Sequence, residues 1–142
     1  MIKVFFHSNV IIDYISGRDA EQNSLKLVDL VVRKEIKGYL EARQLTDIFY
    51  SIRKYNKDET IKRDFINFLI DNFEIIPSLG SVIKYCISTK MSDFEDAILY
   101  ETFKINCLDY FVTSNVSDYA NCDKAITPKE LRALLDIMLQ NR

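Results

Sequence analysis

Short apolar stretches in this chain repeatedly end in small groups of polar side chains. His7, Ser8 and Asn9 follow Ile2–Phe6, and Asp47 lies just past Tyr39–Leu40. Thr113, Ser114 and Asn115 follow Tyr110–Val112, with Asp118 close behind, while Asp93 and Asp96 open a further helical segment. Carboxylates dominate the set. Brought together without matching Lys or Arg, they repel one another unless a cation neutralises them. Hard oxygen donors with open coordination positions suit Mg2+ or Mn2+, and those ions serve phosphoryl chemistry. Each residue also has a plain structural use. Asp47, Asp93 and Asp96 read as first-turn helix acids, favoured there by the helix dipole. Asp118 reads as a turn former, and Asn9 and Asn115 as caps or turn residues. The case for chemistry rests on the group, provided one topology gathers it.

The elements that must do the gathering are legible as follows. Ile2–Phe6 reads as a buried strand, with Ser8 or Asn9 capping a helix that stops at Ser16-Gly17-Arg18. Leu25, Val28 and Val32, with Leu27, Leu30 and Val31, give a second helix a broad apolar face; Gly38 breaks it before a strand over Tyr39–Glu41. Leu45, Ile48, Phe49 and Ile52 recur at i, i+3, i+4 and i+7, and Ile61, Phe65, Phe68 and Leu69 repeat the pattern. Phe73–Ile76 is a strand closed by Pro77, and Val82, Ile83, Cys86 and Ile87 form a short helix. Ser92-Asp93-Phe94-Glu95 and Thr127-Pro128-Lys129-Glu130 match the capping box. Between them lie a fourth strand, Tyr110–Thr113, and a fifth, Ala125-Ile126; Leu131, Leu134, Leu135 and Met138 line a last helix. Such alternation argues for an α/β fold, a three-layer α/β/α sandwich around a parallel sheet of four to five strands. The C-terminal ends of its strands share one crevice. That topology brings together His7, Asp47, Asp96, Asn115 and Asp118, with Asp93 one helical turn from Asp96.

The bulk composition narrows the classes. At 142 residues the chain reads as one domain, 1–142, able to bury a real core. With 48% apolar and 28% charged residues, three glycines and two prolines, it is neither disordered nor of low complexity. No stretch approaches the ~20 apolar residues of a membrane span, and Val4–Phe6 is too short for a signal-peptide core. Cys86, Cys107 and Cys122 have no metal-like spacing and read as reduced thiols of a cytoplasmic protein. The net charge of −2 supplies no global basic field. Residues 33–63, however, carry nine basic against five acidic side chains, a local net of +4. That run is either a set of solvated helix faces or a side turned to RNA or a partner. A phosphoacceptor receiver domain would need paired acids after the first strand and a Lys after the last, and His7-Ser8-Asn9 and Thr113-Ser114-Asn115 supply neither. A dinucleotide fold needs a glycine-rich first turn, where none of Gly17, Gly38 and Gly80 sits.

Four segments in order then carry a resemblance. Phe6-His7-Ser8-Asn9-Val10, Leu45-Thr46-Asp47-Ile48, Asp93-Phe94-Glu95-Asp96-Ala97, and Val112-Thr113-Ser114-Asn115 with Asp118-Tyr119 resemble the four motifs of PIN domains, the bacterial VapC-like group in particular. The resemblance implies a small α/β/α protein with a parallel sheet and a Mg2+- or Mn2+-dependent ribonuclease. It also implies the toxin of a toxin–antitoxin pair, with an antitoxin partner, an RNA substrate and a homodimer. Under it, Asp47 takes the place of the family's second acid and Asp96 of the third. Asn115 takes the fourth place, with Asp118 as a nearby acid, and Thr113 orients the site through its hydroxyl. The metal would hold the scissile phosphate and activate a water. Arg18, Arg43 and Lys54 are cations whose charge suits steering RNA.

The departure is at the first motif, which begins with Asp in the family and has His7 here. A neutral imidazole removes one negative charge and offers nitrogen for oxygen, which weakens Mg2+ binding most and is better tolerated by Mn2+ or a later metal. Three readings stay open. The chain is a weakened PIN protein that binds RNA or a partner, or it uses a softer metal through His7, or His7 is a variant of an ancestral Asp selected against toxicity. A catalytically inactive PIN module is the alternative to the enzyme.

Overall fold

The first strand, β1 (Lys3–Phe6), is the centre of the architecture because nothing in Val4-Phe5-Phe6 tolerates water: all three side chains are fully buried. A strand buried on both faces needs ladder partners along both edges and helices over both sides. In the computed structural model, which describes residues 1–140, it has them. The chain continues through α1 (Ser8–Ser16), α2 (Asn23–Val32), β2 (Lys37–Glu41), α3 (Ala42–Ile52), α4 (Glu59–Asn72), β3 (Glu74–Ile76), α5 (Gly80–Cys86) and α6 (Phe94–Ile105). It closes with β4 (Tyr110–Val112), a 3-10 turn over Val116–Tyr119, β5 (Ala125–Ile126) and α7 (Pro128–Gln140). Five parallel strands form one sheet in the order β3-β2-β1-β4-β5, with Phe5 opposite both Tyr39 and Phe111.

The two-residue alternation of β1 sorts the core into two layers. Val4 and Phe6 join Val10, Leu27, Leu40, Ile48, Leu69 and Leu131 beneath α1–α4 and α7. Phe5 faces the other way, with Leu99, Phe103, Phe111 and Tyr119 against α6 and the 3-10 turn. There the Phe5 and Phe111 rings stack at 5.2 Å. The expected α/β/α sandwich is therefore present, with its full five strands. The strand order reverses at β1: β2 and β3 lie on one side, β4 and β5 on the other. Chain turns leaving the C-terminal ends of β1 and β4 diverge there, which makes a crevice at that end of the sheet.

Three local expectations change. The buried face of α2 is Leu27, Val28 and Val31, while Leu25 and Val32 turn to solvent. The third helix starts at Ala42, earlier than its apolar repeat indicates, so Asp47 stands in its second turn and the dipole account of that residue lapses. Gly38 does not break the chain before β2 but lies within it. A Cβ at this position would sit 2.7 Å from the Phe73 ring and 2.9 Å from Val31, so the glycine marks a close approach of helices to the sheet. All three cysteines are unpaired, Cys86 and Cys122 buried and Cys107 exposed. Among the described residues no helix is long and apolar enough to cross a membrane. Gly38→Ala is expected to lower unfolding stability by about 1–3 kcal/mol, the cost of overpacking a filled core; equilibrium denaturation read against the parent measures it.

Candidate active site

The crevice end of the sheet is organised by Gln44, a buried amide on the first turn of α3. Its Nε2 donates to the Phe6 carbonyl at 2.9 Å and to the Ser8 hydroxyl at 3.0 Å, and its Oε1 accepts the Glu41 amide at 2.7 Å. One side chain thus joins the end of β1, the start of α1 and the end of β2. Glu41 completes the arrangement as the N-cap of α3. Its carboxylate accepts from the Arg43 amide at 2.7 Å and from the Arg43 guanidinium at 2.9 and 2.7 Å, and it also takes the Ser78 hydroxyl. A fully buried carboxylate is tolerable only when paired and hydrogen-bonded in this way. Neither residue stands out in the sequence as functional, although Glu41-x-x-Gln44 has the spacing of a capping box and the structure forms one.

His7 caps α1, a role expected of Ser8 or Asn9. Its Nδ1 accepts from the Asn9 amide at 3.2 Å, and its Nε2 meets Asp96 Oδ1 at 3.2 Å. A neutral imidazole has one N–H and one lone pair. With the lone pair at Nδ1 spent on the cap, the proton lies on Nε2 and is donated to Asp96. That donation holds the Asp96 carboxyl below the usual range, while partial burial works the other way. The buried Tyr119 hydroxyl turns toward the same carboxylate without completing a hydrogen bond.

The β4 end is tied to α1 by Asn9, whose Nδ2 donates to Thr113 Oγ1 at 3.2 Å and whose Oδ1 accepts the Ser114 amide at 3.2 Å. Thr113 is fully buried, and its hydroxyl oxygen also accepts the Asn115 amide. Asn115 precedes the 3-10 turn and is exposed, so Thr113 shapes the loop that presents Asn115 and Asp118. Asp93, rather than Ser92, caps α6, accepting the Asp96 amide at 2.8 Å; a carboxylate one residue later reaches that amide directly. Asp93, Asp96 and Asp118 line a cleft of about 250 Å3 with Met91 and Ser92.

Asp47 does not line that cleft. It lies beside Glu95, whose carboxyl is pushed up to about 7, first by its interaction with the Asp47 carboxylate, then by burial and by the Asp47 charge. Glu95 is the residue that sequence reading used only as a helix cap. Its position beside Asp96 in Asp93-Phe94-Glu95-Asp96 is the signal that was available.

The implied divalent cation can be tested against these donors. A metal on His7 Nε2 would need the lone pair there and the proton on Nδ1, directed at the Asn9 N–H. The ring cannot cap α1 and ligate at once. Among the described residues, moreover, no group of three His, Cys, Asp or Glu side chains is placed to hold a metal ion. The His7 arrangement does not fit a Mg2+ or Mn2+ site. An aspartate differs, because one carboxylate oxygen can accept the amide while the other faces the crevice.

The raised Glu95 carboxyl gives the fold a pH dependence. A carboxyl whose folded pKa lies above its unfolded one binds more protons in the folded state, so its stabilising contribution declines as pH rises from about 4.5 to about 7. Glu95→Gln keeps a donor toward Asp47 and is expected to flatten that decline. Urea midpoints of both proteins at the two ends of the window measure it.

Comparison with known proteins bears on the family. Among curated proteins none matches this sequence. Fourteen solved chains match the structure. One belongs to a toxin-antitoxin complex from Klebsiella pneumoniae, with TM-score 0.67, 18% identity, and coverage of 88% of this chain and 97% of that one. Another is from VapBC2 of Rickettsia felis bound to a DNA fragment from their promoter, with TM-score 0.64, 16% identity, and coverage of 89% and 97%. At such identities the likeness is one of fold. The model of the PIN domain matches residues 3–117, which is most of the sequence, and the chain belongs to the PIN domain family.

Proposed function

We propose that the chain, read as one domain over 1–142, is a PIN-type endoribonuclease, the toxin-like half of a toxin–antitoxin pair. Its activity is weakened or lost because His7 stands where the family's first Asp is expected. In this reading the substrate is RNA, the partner an antitoxin, the assembly a homodimer and the compartment the cytoplasm. The family match and the fold shared with toxin–antitoxin proteins support the class. The observation that carries the weakened activity is the His7–Asp96 hydrogen bond at the point where the strand order reverses. An imidazole donor already occupies the carboxylate that would take the third acidic role. Asp47, Asp96, Asn115 and Asp118 are the residues proposed for catalysis. Asp93 is a further acid at the cleft, and Asn9 and Thr113 are supports. Mg2+ or Mn2+ is the cation proposed for the form with Asp at position 7.

A second reading, an inactive PIN module that binds RNA or a protein, is favoured by the lack of a three-donor group among the described residues. Calorimetry with MnCl2 and MgCl2 on the parent and on His7→Asp separates the two, together with RNA cleavage by each. The expected result is micromolar Mn2+ binding and metal-dependent cleavage only with His7→Asp. Failure of His7→Asp to bind or cut leaves the binding module. Equal binding by the parent would overturn the lone-pair argument at His7.

A further inference from the structure

The basic run of residues 33–63 is only partly absorbed by ion pairs. Arg33 is paired with Asp29 and Glu35, and Arg43 with Glu41. Among the described residues, Arg53, Lys54 and Lys57 carry no ion pair. They surround a groove of about 620 Å3 between the end of α3 and the start of α4, which is also lined by Phe49, Tyr50 and Lys62. Lys62 is an unusual member, only 3% exposed, with its ammonium 4.9 Å from the Phe49 ring centre and 3.3 Å from Glu59. Glu59 also lines the groove and is the carboxylate closest to its cations, so positive charge still prevails there. Tyr50 stands at the groove with 63% of its surface exposed, its ring edge-on to Phe49. Exposed aromatic surface thus stands beside cations that carry no ion pair among the described residues.

The groove also shares α3 with Asp47, one of the acids proposed for catalysis. Asp47, Tyr50 and Lys54 recur at i, i+3 and i+7, so they form one stripe along α3 and the turn that follows. At 1.5 Å per residue, Lys54 lies about 10 Å from Asp47 along that stripe. A strand running from Asp47 along α3 therefore meets the tyrosine ring and then the cations.

From this juxtaposition we infer that the α3–α4 groove is a binding subsite for single-stranded RNA, with Tyr50 stacking on a base and Arg53, Lys54 and Lys57 on phosphates. Sequence-tolerant binding of single strands uses this combination of exposed ring and cationic groove. An acidic protein segment would engage the cations and leave the ring idle. The inference rests on RNA being the ligand class of the proposed function.

The test is fluorescence anisotropy of a short labelled single-stranded RNA of mixed sequence, with chelator present so that nothing is cut. The parent is compared with the Arg53→Ala/Lys54→Ala/Lys57→Ala triple, with Tyr50→Ala, and with a remote triple, Lys26→Ala/Lys34→Ala/Lys124→Ala. The groove triple is expected to lose about tenfold in affinity and to reduce the log–log salt slope by about 2. Tyr50→Ala is expected to lose about fivefold or more with the slope unchanged, as stacking requires. The remote triple should change affinity by less than about twofold. Equal losses in the two triples, or displacement of RNA by polyglutamate at lower concentration than by unlabelled RNA, would overturn the subsite. RNA bound in the groove but left intact by His7→Asp sinks the nuclease reading alone. Undiminished cleavage by His7→Asp carrying the groove triple sinks the subsite alone.

Discussion

The crevice end of this molecule depends on one buried amide. Parallel strands β1 and β2 end side by side, and their last peptide groups have exhausted the ladder without reaching solvent. Gln44 supplies what is missing, donating to Phe6 and Ser8 and accepting from Glu41. The start of α3 is locked to the start of α1, while the acids of the cleft come from the start of α6 and from the 3-10 turn after β4. The arrangement also explains the buried Glu41. As an N-cap its Oε1 accepts an orphan amide of α3, that of Arg43, and also the Ser78 hydroxyl, while its Oε2 takes the Arg43 guanidinium. Arg43 is for that reason tied to structure, whereas Arg53, Lys54 and Lys57, which carry no ion pair among the described residues, lie past the far end of α3.

Much of the fold was legible because each segment had its own punctuation. The alternation of apolar runs and turn signals gave every strand and helix in order, and the parallel sheet followed from the alternation alone. What was illegible were features set by neighbours distant in sequence. Gly38 reads as a breaker because its Phe73 contact is invisible in the chain. The α3 start was misplaced because Ala42 and Arg43 show no apolar period, while the Glu41–Gln44 reciprocity that begins the helix is polar. Ser92 and Asp93 are both good cap types, so the sequence does not choose between them and only geometry does.

The site was legible in outline and not in detail. Strand-end placement brought Asp96 within reach of His7, and Asp93 and Asp118 beside Asp96. It could not show that Asp47 lies beside Glu95, because two carboxylates brought together from α3 and α6 look in sequence like independent surface charges. Nor could it show which nitrogen of His7 is engaged, a question decided by the Asn9 amide rather than by the crevice.

On the function proposed for this chain, that division of labour at position 7 separates what the fold needs from what the chemistry needs. The α1 N-terminus asks only for an acceptor, which an imidazole nitrogen and a carboxylate oxygen both provide. The crevice asks for something more: a second acceptor on the same side chain, turned toward Asp96. Aspartate has two acceptor atoms and meets both demands, whereas histidine has one lone pair and must present a donor on its other side. Facing Asp96, that donor is not a defect but a good hydrogen bond, which removes the electrostatic strain an unfilled cluster of carboxylates would otherwise carry. In that proposal stability and metal ligation make different requests of one residue, and an imidazole that caps α1 through Nδ1 meets the first without offering a lone pair for the second.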